Sequence, residues 1–119
     1  MKVYETSDIR NVATIGHAGS GKTSLIEALL FKSGAITRKG SVEDRNTLSD
    51  HNEIEQDRNS SIFSTPLFIE WKDKKINIID TPGYDDYIGE MIAPIHVCDT
   101  GMVVLNSQTG VEVGAELAW

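Results

Sequence analysis

GHAGSGKT, from Gly16 to Thr23, is the stretch of sequence that decides the fold of this chain. Every fixed position of the pattern G-x-x-x-x-G-K-[ST] is matched. The apolar run Ile9–Ile15 stands before it and predicts a buried parallel strand. After it, apolar residues recur at helical spacing, which predicts a helix over residues 24–32 that turns Glu27 outward. A strand, a glycine loop and a helix in this order are typical of a P-loop, which binds phosphate.

The residue types of this loop suit a nucleotide with a magnesium ion. Small residues allow successive backbone N–H groups to surround a β-phosphate, and the helix that follows adds its partial positive charge. Lys22 is predicted to neutralise the β and γ oxygens, and the Thr23 hydroxyl is predicted to be a ligand of Mg²⁺. The predicted nucleotide-binding residues are Gly16, His17, Ala18, Gly19, Ser20, Gly21, Lys22, Thr23 and Ser24.

A second motif, Asp80-Thr81-Pro82-Gly83, follows the apolar strand predicted at Lys75–Ile79. Asp80 comes 57 residues after Thr23 (80 minus 23), where a second carboxylate is needed to hold the magnesium through water. Gly83 has no side chain, so its N–H can approach a γ-phosphate and move away when that phosphate leaves. The loop after Asp80 is therefore predicted to sense the nucleotide.

The rest of the chain continues an α/β pattern. The polar segment Thr37–Ser60 is predicted to be exposed and mobile, because it holds almost no core-forming side chains. Trp71 and Trp119 are expected to pack in the core or at an edge. The other predicted elements are a hairpin of strands Ile62–Trp71 and Lys75–Ile79, a helix over about Asp86–Val97, a strand at Met102–Leu105 and the start of a helix at Val113–Trp119.

Length and composition narrow the classes of protein. A chain of 119 residues suits one domain or part of one, and 39% apolar and 24% charged residues are typical of globular proteins. The net charge of −7 argues against a DNA-coating surface, since nonspecific nucleic-acid binding comes largely from clustered Lys and Arg. No apolar run approaches the ~20 residues of a membrane helix, and no signal peptide opens the sequence. A cytoplasmic protein without a membrane partner is expected.

The two motifs together resemble those of the translational GTPases, specifically elongation factor G and its paralogues. The resemblance covers essentially the whole chain. It implies an α/β P-loop NTPase fold of three α/β/α layers, incomplete because residues 1–119 match only the N-terminal part of the GTP-binding (G) domain. It also implies GTP and GDP as ligands, Mg²⁺ as cofactor, and the ribosome, with its rRNA and proteins, as partner. Its supports are IRNVATIGHAGSGKT, SLIEALLFKSGAI, SDHNEIEQDR, IIDTPG and DTGMVVLNSQTGVEVGAELAW.

By this resemblance, two segments are expected to respond to the nucleotide. Residues 37–61 are similar to the family's first switch, and residues 80–92 to its second. Ser61 stands where a hydroxyl of the first switch reaches the magnesium, but the usual Arg-Gly-Ile-Thr is replaced by Arg58-Asn59-Ser60-Ser61. Ser61 is therefore either a metal ligand or part of a solvated loop, in which Ser and Asn are ordinary residues.

Tyr84 is the larger departure from the family. The usual pattern is Asp-Thr-Pro-Gly-His, whose His helps to position the attacking water. A phenol with a pKa near 10 is a poor base at neutral pH, although its oxygen can still orient water. We therefore expect slow hydrolysis, with Lys22, Gly83 and Tyr84 as catalytic residues; the alternative is that Tyr84 only packs. His17 is expected to support the loop without acid–base work.

Three functions fit these residues. The first is a GTP-hydrolysing translation factor of the elongation factor G type, and the second is a nucleotide-gated binding module with little hydrolysis. The third is a P-loop ATPase of another branch. The chain holds no Asn-Lys-x-Asp motif, with which the resembling GTPases read guanine, so base selectivity has to be measured.

Overall fold

A computed structural model describes residues 2–58 and 60–119 of the chain. Two short 3₁₀ turns, Thr6–Asp8 and Asp85–Tyr87, accompany the regular elements. Within residues 2–58 and 60–119, every helix is too short or too polar to span a membrane. The regular elements are, in order, β1 (Ile9–Ile15), α1 (Lys22–Ser33), α2 (Glu53–Arg58), β2 (Thr65–Trp71), β3 (Lys74–Asp80), α3 (Ile88–Val97), β4 (Thr100–Val103) and α4 (Val113–Ala118).

The four strands form one sheet in the order β2-β3-β1-β4. β1 is parallel to both of its neighbours, while β2 and β3 are antiparallel. The tight turn between β2 and β3 places Lys72 and Asp73 at positive φ, as a two-residue hairpin turn requires. Parallel pairing sets Thr14 of β1 opposite Asp80 of β3, at the carboxyl edge of the sheet.

The apolar core lies between α1 and the hairpin. Ile26 and Leu30 of α1 pack with Ile69 of β2 and Ile78 of β3. These side chains are nearly inaccessible to water, and each stabilises the fold by about 1.5–3 kcal/mol relative to an exposed position. α3 and α4 contact β1 instead. The sheet and its helices have the predicted α/β fold of an incomplete P-loop domain.

The predicted elements are confirmed with shifted ends. α1 begins at Lys22, two residues before the prediction, and ends at Ser33, with Gly34 as its C-cap at a φ of 79°. β4 lies at Thr100–Val103, earlier than the predicted Met102–Leu105. β2 begins only at Thr65.

Three expectations about burial were wrong. Glu27 does not face outward, because both carboxylate oxygens are buried against backbone N–H groups. The segment Thr37–Ser60 is not simply an exposed loop: it contains α2 and several buried polar side chains, including Asp50 and Glu55. Such groups tolerate burial when hydrogen bonds replace water. Trp119 is 97% exposed and packs neither in the core nor at an edge, whereas Trp71 lies on the edge strand β2, as expected, and is partly exposed.

Candidate functional site

The candidate site lies at the carboxyl edge of the sheet, where the chain leaves β1 and β3. A cavity of about 280 Å³ opens there. Its wall comes from three parts of the chain: the glycine loop with the start of α1, residues of the segment 42–61, and the pair Gly83–Tyr84. In parallel α/β sheets this edge is where ligands bind.

The glycine loop has a backbone that few other residues could adopt. Gly16, Gly19 and Gly21 have φ values of 149°, 74° and 96°. A Cβ atom on Gly16 would lie 2.3 Å from the carbonyl oxygen of Val104, so the loop packs directly on the chain that follows β4. The Ser20 hydroxyl is buried in the loop and has no hydrogen-bond partner among the described residues. An unpaired polar atom in this position fits a loop that binds a polar ligand.

Lys22 is held inside the loop. Its Nζ donates to the carbonyl oxygens of Gly16 and His17, at 2.9 Å each. Burial lowers the pKa of Lys22, while the nearby carboxylates of Asp80 and Asp50 favour the charged form. Lys22 lines the cavity, where its ammonium can donate charge-assisted hydrogen bonds to phosphate oxygens.

The three predicted metal residues are brought together. The Thr23 hydroxyl donates to Asp80 Oδ2 at 2.7 Å, and it lies 3.2 Å from the Ser61 hydroxyl. Hard oxygen atoms of this kind are the ligands that Mg²⁺ prefers, and one or two carboxylates suffice when phosphates complete the shell. No group of three or more His, Cys, Asp or Glu side chains that could hold a metal occurs in the described part of the chain. The site therefore fits Mg²⁺ that arrives with phosphate.

Asp50 is a fourth member of this cluster that the sequence did not reveal. Its Oδ1 accepts a 2.7 Å hydrogen bond from the Ser61 hydroxyl, and the side chain lines the cavity. Burial raises the pKa of Asp50, although the bond from Ser61 opposes this effect. Asp50 lies in a segment rich in acidic residues, and nothing in the sequence distinguishes it from its neighbours.

Asp80 is supported from beneath by β1. Its Oδ1 accepts from the hydroxyl of Thr14, 3.1 Å away, and the Thr81 hydroxyl donates to the Thr14 carbonyl oxygen. Burial raises the pKa of Asp80, while the hydrogen bond from Thr23, other hydroxyl donors and the charge of Lys22 lower it. Thr14 is itself completely buried. Its position in an apolar strand gave no sign of this role.

Replacing Thr14 with Val removes the hydroxyl and keeps the shape. We expect the Mg²⁺ concentration at which half of the nucleotide is retained to rise about tenfold. The reason is that a hydrogen bond to a buried charged group contributes roughly 1.5–3 kcal/mol. Nucleotide dissociation measured across a Mg²⁺ titration tests this. Thr14→Ser keeps the donor and should behave as the original protein does; equal defects in both variants would contradict the role of the hydroxyl.

Gly83 touches the glycine loop directly. Its carbonyl oxygen accepts a 3.0 Å hydrogen bond from the N–H of Ala18. A Cβ atom on Gly83 would lie 2.4 Å from that nitrogen and 2.6 Å from Lys22 Nζ. The start of α4 also packs against Gly83, since a Cβ on Gly114 would lie 2.8 Å from the Gly83 carbonyl oxygen. The two motifs and α4 therefore pack backbone on backbone.

The remaining predicted residues lie around this contact. His17 Nδ1 accepts a 3.2 Å hydrogen bond from the N–H of Gly114, which agrees with a supporting role for its ring. Tyr84 lines the cavity and is half exposed. Close by, Arg58 donates to the Tyr87 hydroxyl at 2.7 Å, which links the two predicted switches.

The chain matches one family profile and a solved structure over nearly its whole length. The sequence profile of the elongation factor Tu GTP binding domain matches residues 7–119. A crystal structure of a protein from Thermus thermophilus superposes with a TM-score of 0.92 at 37% identity. The superposition covers 95% of this chain and 17% of that one.

Curated relatives are similar over nearly the whole chain. Mitochondrial ribosome-releasing factor 2 of Kluyveromyces lactis is 38% identical over 117 residues, which are 98% of this chain and 15% of that protein. Elongation factor G of Petrotoga mobilis is 36% identical over 118 residues, which are 99% of this chain and 17% of that protein. The chain thus spans about one sixth of the length of these relatives.

Proposed function

The chain belongs to the family of the elongation factor Tu GTP-binding domain, and on that premise we propose that it binds GTP and GDP with Mg²⁺ and hydrolyses GTP. We propose further that it forms part of a ribosome-dependent translation factor of the elongation factor G type, since relatives of that kind match it over almost its full length. The observation that carries the proposal is the cluster of Thr23, Ser61 and Asp80 beside the buried ammonium of Lys22.

The geometry suggests how the parts would act. The N–H groups of the glycine loop and Lys22 would hold the β- and γ-phosphates, while Thr23, Ser61 and the carboxylates of Asp50 and Asp80 would hold Mg²⁺ directly or through water. When bound, Mg²⁺ neutralises charge that develops on the phosphate oxygens during in-line attack by water. Gly83 lies against the loop, so a γ-phosphate would displace its carbonyl oxygen from the Ala18 N–H and turn the peptide.

Binding and turnover of the full-length protein test this function. We expect fluorescent GDP and GTP analogues to bind with Mg²⁺ much more tightly than an ATP analogue, and ribosomes to accelerate single-turnover GTP hydrolysis. Guanine-selective binding without ribosome-stimulated hydrolysis would favour the nucleotide-gated binding module. Preference for ATP would favour an ATPase of another branch and overturn the proposal.

Tyr84 is proposed to keep hydrolysis slow. By the resemblance it stands where the family usually has His, and it lines the cavity from a half-exposed position. In single-turnover assays we expect Tyr84→His to raise the hydrolysis rate by about tenfold, below the ~100-fold of a well-placed general base. Tyr84→Phe removes only the hydroxyl and shows whether this oxygen orients water. A rate unchanged in both variants would assign Tyr84 to packing alone.

A further inference from the structure

Glu27 is a buried carboxylate whose two oxygens both bind the same loop. Its Oε2 accepts a 3.1 Å hydrogen bond from the N–H of Gly40, and its Oε1 accepts from the N–H of Leu48. The side chain is 1% exposed, and it forms no salt bridge with the described Lys, Arg and His side chains. A charge buried in this way is stable only while its hydrogen bonds persist. The hydrogen bonds that stabilise the Glu27 carboxylate thus come from residues 40–48, which we name the cover segment.

The cover segment is a compact loop with its own hydrogen bonds. Asn46 Oδ1 accepts from the N–H of Ser41 at 2.8 Å, and the Val42 carbonyl oxygen accepts from the N–H of Arg45 at 3.1 Å. A Cβ atom on Gly40 would lie 2.4 Å from the carbonyl oxygen of Asn46, so the two ends of the loop are in close contact. Glu27 accepts hydrogen bonds from the N–H groups of Gly40 and Leu48, the first and last residues of the cover segment, and so holds its two ends together.

The cover segment also reaches the phosphate cavity. Val42 and Glu43 contribute to the cavity wall, although neither takes part in the metal cluster. Glu27 follows Thr23 by one helical turn (27 minus 23 is 4), so both side chains project from the same face of α1. Thr23 contacts Ser61, and one helical turn later Glu27 contacts the cover segment. α1 therefore holds the first predicted switch at two places.

We propose that Glu27 anchors the cover segment over the phosphate cavity and is thereby a positioning residue for the bound nucleotide. The identity of the ligand rests on the proposed function, but the anchoring is a property of the protein alone. Without the anchor the cover segment opens, the wall formed by Val42 and Glu43 is lost, and a bound nucleotide leaves sooner.

The variant Glu27→Gln separates the anchor from the shape of the side chain. An amide keeps one acceptor oxygen, but its NH₂ group faces a backbone N–H, where two donors repel each other. Glu116→Gln is the matched control, since Glu116 is an exposed helical Glu on α4. Gly40→Ala is a second variant that opens the same contact from the loop and leaves α1 intact, because its Cβ forces Asn46 away.

Limited trypsin digestion of the full-length protein without nucleotide measures the anchor. Arg45 lies inside the cover segment, and Lys75 lies in β3. For both Glu27→Gln and Gly40→Ala we expect cleavage after Arg45 to be about tenfold faster, as loss of a hydrogen bond to a buried charge implies. Cleavage after Lys75 should keep its rate, and Glu116→Gln should change neither. Equal acceleration at the two sites would show a general loss of stability and overturn the proposal.

Nucleotide dissociation gives the functional readout. We expect bound fluorescent GDP to leave Glu27→Gln and Gly40→Ala about tenfold faster than it leaves the unchanged protein, with no change for Glu116→Gln. If the unchanged protein retains no nucleotide, the proposed function fails, while the cleavage pattern still decides the anchor. If GDP is retained and neither its dissociation nor the cleavage after Arg45 changes, Glu27 is not the anchor.

Discussion

Lys22→Ala should lower the affinity for GTP and GDP by at least about 100-fold, the loss expected when two charge-assisted contacts of roughly 1.5–3 kcal/mol each disappear. Lys22 is buried and lines the cavity in which the β- and γ-phosphates are proposed to bind. Equilibrium binding of fluorescent nucleotides with Mg²⁺ measures the loss. Because the site otherwise presents Asp50 and Asp80, a phosphate chain would then meet an uncompensated negative surface.

The fold should survive this substitution. Lys22 pairs with no carboxylate at salt-bridge distance among the described residues, and burial of its charge is costly, as its lowered pKa indicates. Removing it should therefore change the melting temperature by only a few degrees, roughly what 1 kcal/mol does in a domain of this size. Lys32→Ala, in the exposed last turn of the same helix, is the control. Retention of nucleotide within about threefold in Lys22→Ala would remove the basis of the proposed function.

Gly83→Ala should have the second largest effect. The added methyl group would meet the nitrogen of Ala18 at 2.4 Å and the carbonyl carbon of His17 at 2.6 Å, and both are backbone atoms that cannot turn aside. The glycine loop must then shift. We expect GTP affinity to fall by about tenfold or more, in line with the roughly 1–3 kcal/mol that overpacking costs. GDP should suffer less, since Gly83 is proposed to face the γ-phosphate.

A glycine a few residues further on gives a matched control. Gly89 lies in α3, where a Cβ atom meets nothing within 4 Å. Gly89 also belongs to the predicted second switch, but its substitution creates no clash. Gly89→Ala should therefore change GTP affinity far less than Gly83→Ala does, and it should stabilise the helix by up to about 1 kcal/mol. Isothermal titration with GTP and GDP, together with thermal unfolding, compares the two variants. Equal GTP affinity in Gly83→Ala and the unchanged protein would show that the loop has room for a side chain.

The fold could be predicted because local patterns and backbone demands agree in this chain. An apolar run before a glycine loop predicts a parallel strand. In this loop Gly19 and Gly21 adopt positive φ, which glycine does at little cost, and α1 begins directly after Gly21. The Lys72-Asp73 turn follows from polar residues between two apolar runs. Ends of elements were less predictable, since β2 begins late where Ile62 and Phe63 instead donate their N–H groups to Glu55.

Residues of the site were predictable only where a motif fixes them. Lys22, Thr23 and Asp80 lie where spacing and chemistry placed them, and Ser61 lies beside Thr23. Whether each binds nucleotide or metal stays a prediction. Asp50 and Thr14 were missed, because their partners are separated from them by 11 and 66 residues and no periodicity records such contacts.

Glu27 shows most clearly why a helical pattern can mislead. A carboxylate among apolar residues normally faces water, since burial without partners is costly. Its partners here are two backbone N–H groups in a polar segment, and every residue except proline carries such a group. No side-chain pattern can reveal them.

The register of the parallel sheet has a consequence for how the chain folds as it is synthesised. β1 is made first, yet its partners arrive 66 residues later in β3 (Lys75 opposite Ile9) and 88 residues later in β4 (Thr100 opposite Val12). Until β3 and β4 have been synthesised, the apolar strand β1 cannot pair with them. Pairing between strands so distant in sequence is intrinsically slow. The glycine loop thus emerges complete in sequence long before Asp80 exists to complete the site. A nucleotide bound at the proposed site would therefore stabilise the folded state only after β3 has paired with β1.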